Sequence, residues 1–155
     1  MDIRQPRRVS RTHTQRLCAG PERVFPLLCP VREAEWLERW APVFVKTVSG
    51  AAEVDCVFST PEPEHDAIWY ITRHEPENRF VEMIKLLPEV TACRLAIQVT
   101  AVPAGSEARI TYTHTSLGPR GDAFVDAYTE DHYRRFMQDW EDRMNHFLRT
   151  GVRAV

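Results

Sequence analysis

From Thr129 onward, Tyr133, Phe136, Met137, Trp140, Met144, Phe147 and Leu148 recur every three or four residues. That spacing stacks them along one stripe of an α-helix. Arg134, Arg135, Asp139, Glu141, Asp142, Arg143 and Arg149 fall on the other face. Asp131 with Arg135, and Asp139 with Arg143, stand four apart with the acid first, each pair worth ~0.3 kcal/mol. A helix with so wide an aromatic stripe is not stable alone. It needs a surface to lie on, and the strand-rich middle of the chain is the only candidate. The spacing predicts helix from about Asp122 to Arg149, in two pieces. Asp122 opens the first, which carries Phe124, Val125 and Tyr128. Thr129 caps the second, with Glu130 and Asp131 in the first turn, where acids suit the helix dipole. The break is expected between Tyr128 and Glu130.

Ahead of this helix, Val9 to Leu17 reads as a first strand, although neither face is clearly apolar. Gly20-Pro21-Glu22 starts a short helix with Pro21 at its first position, and Pro26 limits it. A second short helix is expected from about Arg32 to Trp40, with Trp36 and Trp40 one turn apart. Val43 to Ser49 and Glu53 to Thr60 flank Gly50-Ala51-Ala52 as a hairpin, with Val54, Cys56 and Phe58 on one face. Asp66 to His74, Arg79 to Leu87, Thr91 to Ala101 and Glu107 to Leu117 follow as strands joined by short turns. In the third of these Cys93, Leu95, Ile97 and Val99 alternate inward. In the last, Ile110, Tyr112 and His114 share a face. Short turns imply antiparallel pairing, and one apolar face implies a sheet covered on one side. A twisted sheet of about seven strands curls, and the terminal helix fits its concave side.

Length and charge narrow the function classes. The 155 residues are expected to form one domain, with residues 1–8 as a frayed tail. A net charge of −2 argues against nucleic acid as the main partner. No run is long and apolar enough for a membrane span, and no signal core follows the N-terminal arginines. Cys18, Cys29, Cys56 and Cys93 match neither a zinc site nor a redox pair. They read as buried small hydrophobes in a reducing, cytoplasmic setting. The six histidines are scattered without a metal-binding spacing, and no glycine loop suited to phosphate is present. Neither a metal nor another cofactor is therefore expected.

A resemblance is carried by Pro21 to Glu33, by Trp36 and Trp40, and by Val57-Phe58-Ser59-Thr60. Ile68-Trp69, Tyr112-Thr113-His114-Thr115 and the Tyr133 to Leu148 stripe extend it over essentially the whole chain. With these residues the sequence resembles the START-like superfamily, also called SRPBCC. That group includes birch-pollen-allergen-type (Bet v-like) proteins, polyketide cyclases and aromatases, and lipid-transfer domains. The nearest likeness is to small bacterial members of undefined function. The resemblance implies an α+β helix-grip fold. A curved seven-stranded antiparallel sheet would wrap a long C-terminal helix, with two short helices after strand 1 and a cavity between sheet and helix.

In such a cavity Phe58, Trp69, Ile71, Leu95, Tyr112, Tyr128, Phe136, Met137 and Trp140 are expected to supply the walls, with Ile97 beside them; a solid core is the competing outcome. His114, with Tyr112 and His132, is a candidate acid, base or polar anchor, against a purely structural histidine. Arg73 shares the Trp69–Ile71 face by simple alternation and could hold a ligand carboxylate; solvent exposure of Arg73 and Glu82 is the simpler alternative. Three functions follow from the resemblance. The first is binding a small hydrophobic or amphipathic molecule, lipid- or polyketide-like. The second is a cyclase or aromatase that orients substrate with Tyr112, His114 and Arg73. The third is an interaction protein like the heat-shock chaperone co-regulators of this fold. Trp36 and Trp40 could also contribute to a homodimer surface, although packing against sheet or helix is the preferred reading.

Overall fold

The chain runs β1 (Arg8–Leu17), α1 (Pro21–Val24), two 3-10 turns (Phe25–Leu28 and Glu33–Glu35), then β2 (Phe44–Lys46) and β3 (Val57–Thr60). It continues through β4 (Ala67–Glu75), β5 (Phe80–Leu87), β6 (Thr91–Val102), β7 (Gly105–Ser116), α2 (Pro119–Ala127) and α3 (Glu130–Thr150). A computed structural model describes residues 1–154 of it. The strands form one antiparallel sheet in the order β1-β7-β6-β5-β4-β3-β2. The segment between β1 and β2 therefore crosses from one sheet edge to the other. This is a helix-grip architecture.

Alternation builds the inner face. Cys93, Leu95, Ile97 and Val99 of β6 are buried, as are Ile110, Tyr112 and His114 of β7. The outer face near β1 carries hydroxyl ladders instead. Ser10 meets Thr113 at 3.0 Å and Thr12 meets Thr111 at 2.8 Å. Such cross-strand pairs suit a wet face.

α3 is capped as its sequence predicts: the Thr129 hydroxyl accepts from the His132 N–H. It ends at Gly151, whose φ of +71° is the left-handed conformation favoured after a helix. The break from α2 falls at Tyr128 and Thr129. Of the two expected ion pairs, Arg143 meets Asp139 at 2.9 Å, while Asp131 pairs with Arg134 instead of Arg135. α2 begins three residues before the expected Asp122, because Pro119 presets the first turn.

Polar side chains fasten α3 to the β1 flank. The Gln15 amide donates to the Met137 carbonyl at 2.8 Å, and the Tyr133 hydroxyl donates to the Ile110 carbonyl at 2.6 Å. Asn145 accepts from the Cys18 N–H and donates to the Arg16 carbonyl, both at 2.8 Å. This explains why neither face of β1 looked apolar. Its inner positions meet helix backbone as well as apolar core.

Two expectations on the crossing segment fail. The Val43–Ser49 and Glu53–Thr60 hairpin shrinks to β2 and β3. The Glu53 carboxylate turns back to the Val48 and Ser49 N–H groups and the Thr47 hydroxyl, closing 47–53 as a loop. Val54 is consequently exposed and does not share the Cys56 face. The second short helix reduces to the Glu33–Glu35 turn. Trp36 donates its indole N–H to Leu27 O at 2.9 Å, and Trp40 donates to Pro30 O at 2.7 Å. Those two bonds and the positive φ of Arg39 hold the segment in a folded-back loop. Trp36 is fully buried, edge-on to Trp140 at 5.4 Å, so it presents no surface to a partner. The cysteines are all free; Cys18 is exposed, contrary to expectation, and the other three are buried.

Candidate functional site

Because α3 is fastened over the β1 side, it does not fill the sheet's inner face towards β3, β4 and β5. A cavity of about 410 Å³ remains there. Phe58 and Thr60 of β3, Trp69 of β4, Met83 and Lys85 of β5, Leu95 of β6, and Tyr112 and His114 of β7 form the sheet wall. Phe124, Tyr128, His132, Phe136 and Trp140 form the helical wall. Pro30, Glu33, Leu37, Arg39, Trp40 and Ala41 of the crossing segment close a third side.

Nine of the twelve expected site residues line this space: Phe58, Trp69, Leu95, Tyr112, His114, Tyr128, His132, Phe136 and Trp140. Ile71 and Met137 are fully buried in the core beside it. Arg73 is excluded. A bulge between Ile71 and Arg73 shifts the β4 register, so the alternation that put Arg73 with Trp69 fails there. Arg73 instead lies outside, paired with Glu75 at 2.7 Å and over the Phe80 ring. Glu82 accepts from the Thr72 hydroxyl at 2.9 Å on the same strand pair. A catalytic set of Tyr112, His114 and Arg73 is therefore not assembled.

Aromatic rings stack through the site. Phe58 lies parallel to Trp69 at 5.4 Å between ring centroids, and Phe136 is tilted against Trp140 at 5.7 Å. Tyr112 stacks on His114 at 5.8 Å, and Tyr128 meets His114 edge-on at 4.5 Å. Burial and nearby Lys85 hold the His114 imidazole down at about 4, so it is neutral around pH 7. Its Nε2 lies 3.8 Å from Cys93 Sγ, and its Nδ1 finds no partner among the described residues. The Tyr128 hydroxyl is likewise buried without a partner among them. Burial raises the Tyr112 phenol well above its ordinary range, so it stays protonated and available as a donor.

Glu33, Arg39, Glu62 and Lys85 also line the space and escaped the site expectations. Lys85 sits 5.2 Å from the Trp69 ring centroid and pairs with Glu62 at 2.5 Å. Glu33 is 7% exposed, and burial pushes its carboxyl up to about 8. Lys85 was discoverable: it continues the inward alternation of buried Val81 and Met83 along β5. Glu33 had no periodic signal, because it occupies a turn. Among the described residues no cluster of three or more acidic, histidine or cysteine side chains is arranged to hold a metal ion. None of the helices described is long and apolar enough to cross a membrane.

No family model matches the sequence, and no curated protein sequence matches it. Solved structures do. An uncharacterized protein from Rhizobium leguminosarum is 16% identical and superposes with a TM-score of 0.63 over 96% of this chain and 99% of its own. A norcoclaurine synthase point mutant from Thalictrum flavum, in complex with a transition state analogue, is 12% identical. It gives a TM-score of 0.65 over 96% of this chain and all of its own. DynU16, from the dynemicin biosynthetic locus, is 14% identical with a TM-score of 0.59, over 94% of this chain and 48% of its own. At these identities the likeness is one of fold: the Bet v1-like helix-grip.

Proposed function

We propose that the protein binds a small hydrophobic or amphipathic molecule in the cavity between the sheet and the α2–α3 helices. The whole chain acts as one START-like domain, working in the cytoplasm. The observation that carries this is the unfilled space of about 410 Å³ beside Trp69 and Tyr112, at the junction of sheet, helix and crossing segment. A space walled mainly by aromatic and aliphatic side chains, with a few polar groups, is the usual form of a ligand site. The fold neighbours include an enzyme holding a transition state analogue and a protein of a biosynthetic locus, which supports a small-molecule role.

The test is a thermal-shift and calorimetric screen of the whole chain with fatty acids, naphthalene-based dyes and aromatic polyketide-type compounds. A true ligand at about 100 times its Kd stabilises the fold by about 2.7 kcal/mol, and the stabilisation keeps growing with the logarithm of its concentration. If no compound of these classes raises the melting temperature or alters the emission of Trp40, Trp69 and Trp140, the proposal fails.

A further inference from the structure

Glu33 lies in the cavity wall, 7% exposed, and its carboxyl enters no hydrogen bond or ion pair among the described residues. A carboxylate at that depth is costly unless a cation meets it. The chain has 20 basic residues, yet none is brought close enough to shift this carboxyl. Glu33 is nonetheless firmly placed. Its N–H donates to Cys29 O at 2.8 Å, and its carbonyl accepts from Trp36 N–H at 3.2 Å and Leu37 N–H at 2.8 Å. The two indole anchors, Trp36 to Leu27 O and Trp40 to Pro30 O, brace the same segment. The acid is thus fixed in the wall with its carboxyl unpartnered among the described residues.

The remaining walls suit a cation. Trp40, Tyr112, Phe136 and Trp140 line the same space, and ring faces of this kind attract ammonium groups. Trp69 already serves one: Lys85 lies over it, and that charge is neutralised by Glu62. We infer that the ligand is a monocationic amine with an aromatic or cyclic apolar body, its ammonium paired with the Glu33 carboxylate. This deepens the ligand-binding reading above and rests on it.

The pairing has a pH signature. Free Glu33 holds its proton up to about pH 8, whereas a bound ammonium favours the carboxylate. Binding therefore releases a proton below pH 8, and affinity rises with pH until the amine itself deprotonates. The other titratable groups around the space are Arg39 of the crossing segment, Glu62 and Lys85 at the strand ends, Tyr112 and His114 of β7, Tyr128 between the helices, and His132 of α3. His114 is neutral throughout pH 6 to 8, and the two tyrosines stay protonated.

Calorimetry on the whole chain with three matched probes tests this: 2-(1-naphthyl)ethylamine, 2-(1-naphthyl)ethanol and 3-(1-naphthyl)propanoate. The amine is expected to bind at least about tenfold tighter than the alcohol at pH 7.5. Its affinity should climb by close to tenfold per pH unit from pH 6 towards 8, with the heat depending on buffer ionisation. In Glu33→Gln the preference and the pH slope should both disappear, with folding checked by circular dichroism. The wild-type pH slope is decisive even if that variant misfolds. The inference is overturned if alcohol and amine bind alike, if the propanoate is preferred, if affinity falls between pH 6 and 8, or if the preference survives in a folded Glu33→Gln protein. Alcohol binding without amine preference sinks this inference alone. Failure of all three probes to bind sinks it too, and the ligand-binding reading falls only if the fatty acids and polyketide-type compounds also fail.

Discussion

Glu33 and His114 face the same cavity with opposite electrostatic problems. Burial keeps the Glu33 carboxyl protonated up to about pH 8, whereas an unfolded chain releases that proton near its ordinary value of 4.5. The folded state then binds more protons between those values, and stability falls as pH rises from about 4.5 to 8. His114 runs the other way. Its imidazole stays neutral down to about 4 when folded but charges below about 6.5 when unfolded. Stability is therefore lost as pH falls through that window, by a ceiling of about 3 kcal/mol. Urea melts of wild type and Glu33→Gln should agree at pH 4.5 and diverge above it. By pH 8.5 the variant should be the more stable, by at most about 5 kcal/mol. An unchanged difference across that range would show that Glu33 is not buried as an acid. Tyr128→Phe removes a buried hydroxyl that has no partner, so it is expected to be neutral or to stabilise by about 1 kcal/mol in thermal melts. Inner positions such as His114 and Tyr112 were legible in sequence because β7 keeps strict alternation. Arg73 was not: one bulge reverses the count, and nothing in the local residues announces it. Glu33 was invisible for a different reason, since a turn residue carries no periodic signature.

The elements that were legible are those whose own pattern decides their form. β6 and β7 alternate along most of their twelve residues, β4 does so up to Ile71, and α3 shows both its cap and its stripe. The crossing segment was misread because distant side-chain bonds shape it. Glu53 closes 47–53, and two indole N–H groups pull 30–40 back over the first 3-10 turn. Element-level predictions follow from the two joints of the helical layer. Thr129→Ala removes the α3 cap and should cost about 1 kcal/mol, read from chemical denaturation. At Gly121 an added Cβ would stand 1.9 Å from Val90 O and 2.6 Å from Ser116 Oγ, where α2 crosses the end of β7. Gly121→Ala should therefore cost ~2–3 kcal/mol and loosen the wall that carries Phe124. A melt indistinguishable from wild type would mean α2 can retreat without penalty.

At the scale of the whole molecule, strand order and helix placement followed from turns and stripes, but the size of the empty space did not. A void is the small difference between enclosed volume and the side chains that enter it, and no local pattern reports that difference. It exists here because Gln15, Tyr133 and Asn145 fix the helix over the β1 flank. Filling it should separate binding from folding. Leu95→Trp, which places an indole at the middle of the β6 wall, is expected to abolish binding of the naphthalene probes while leaving the circular dichroism spectrum and melting temperature near wild type. Retained probe affinity in that variant would locate the ligand elsewhere. The same fastening sets an order of events during synthesis. The first strand emerges early, but the helix that seals it is made only after all seven strands. Until then the curved sheet shows its greasy side to the cell. A nascent chain stalled before residue 129 should accordingly cling to holdase chaperones, and release from them should coincide with emergence of Glu130–Thr150 from the ribosome.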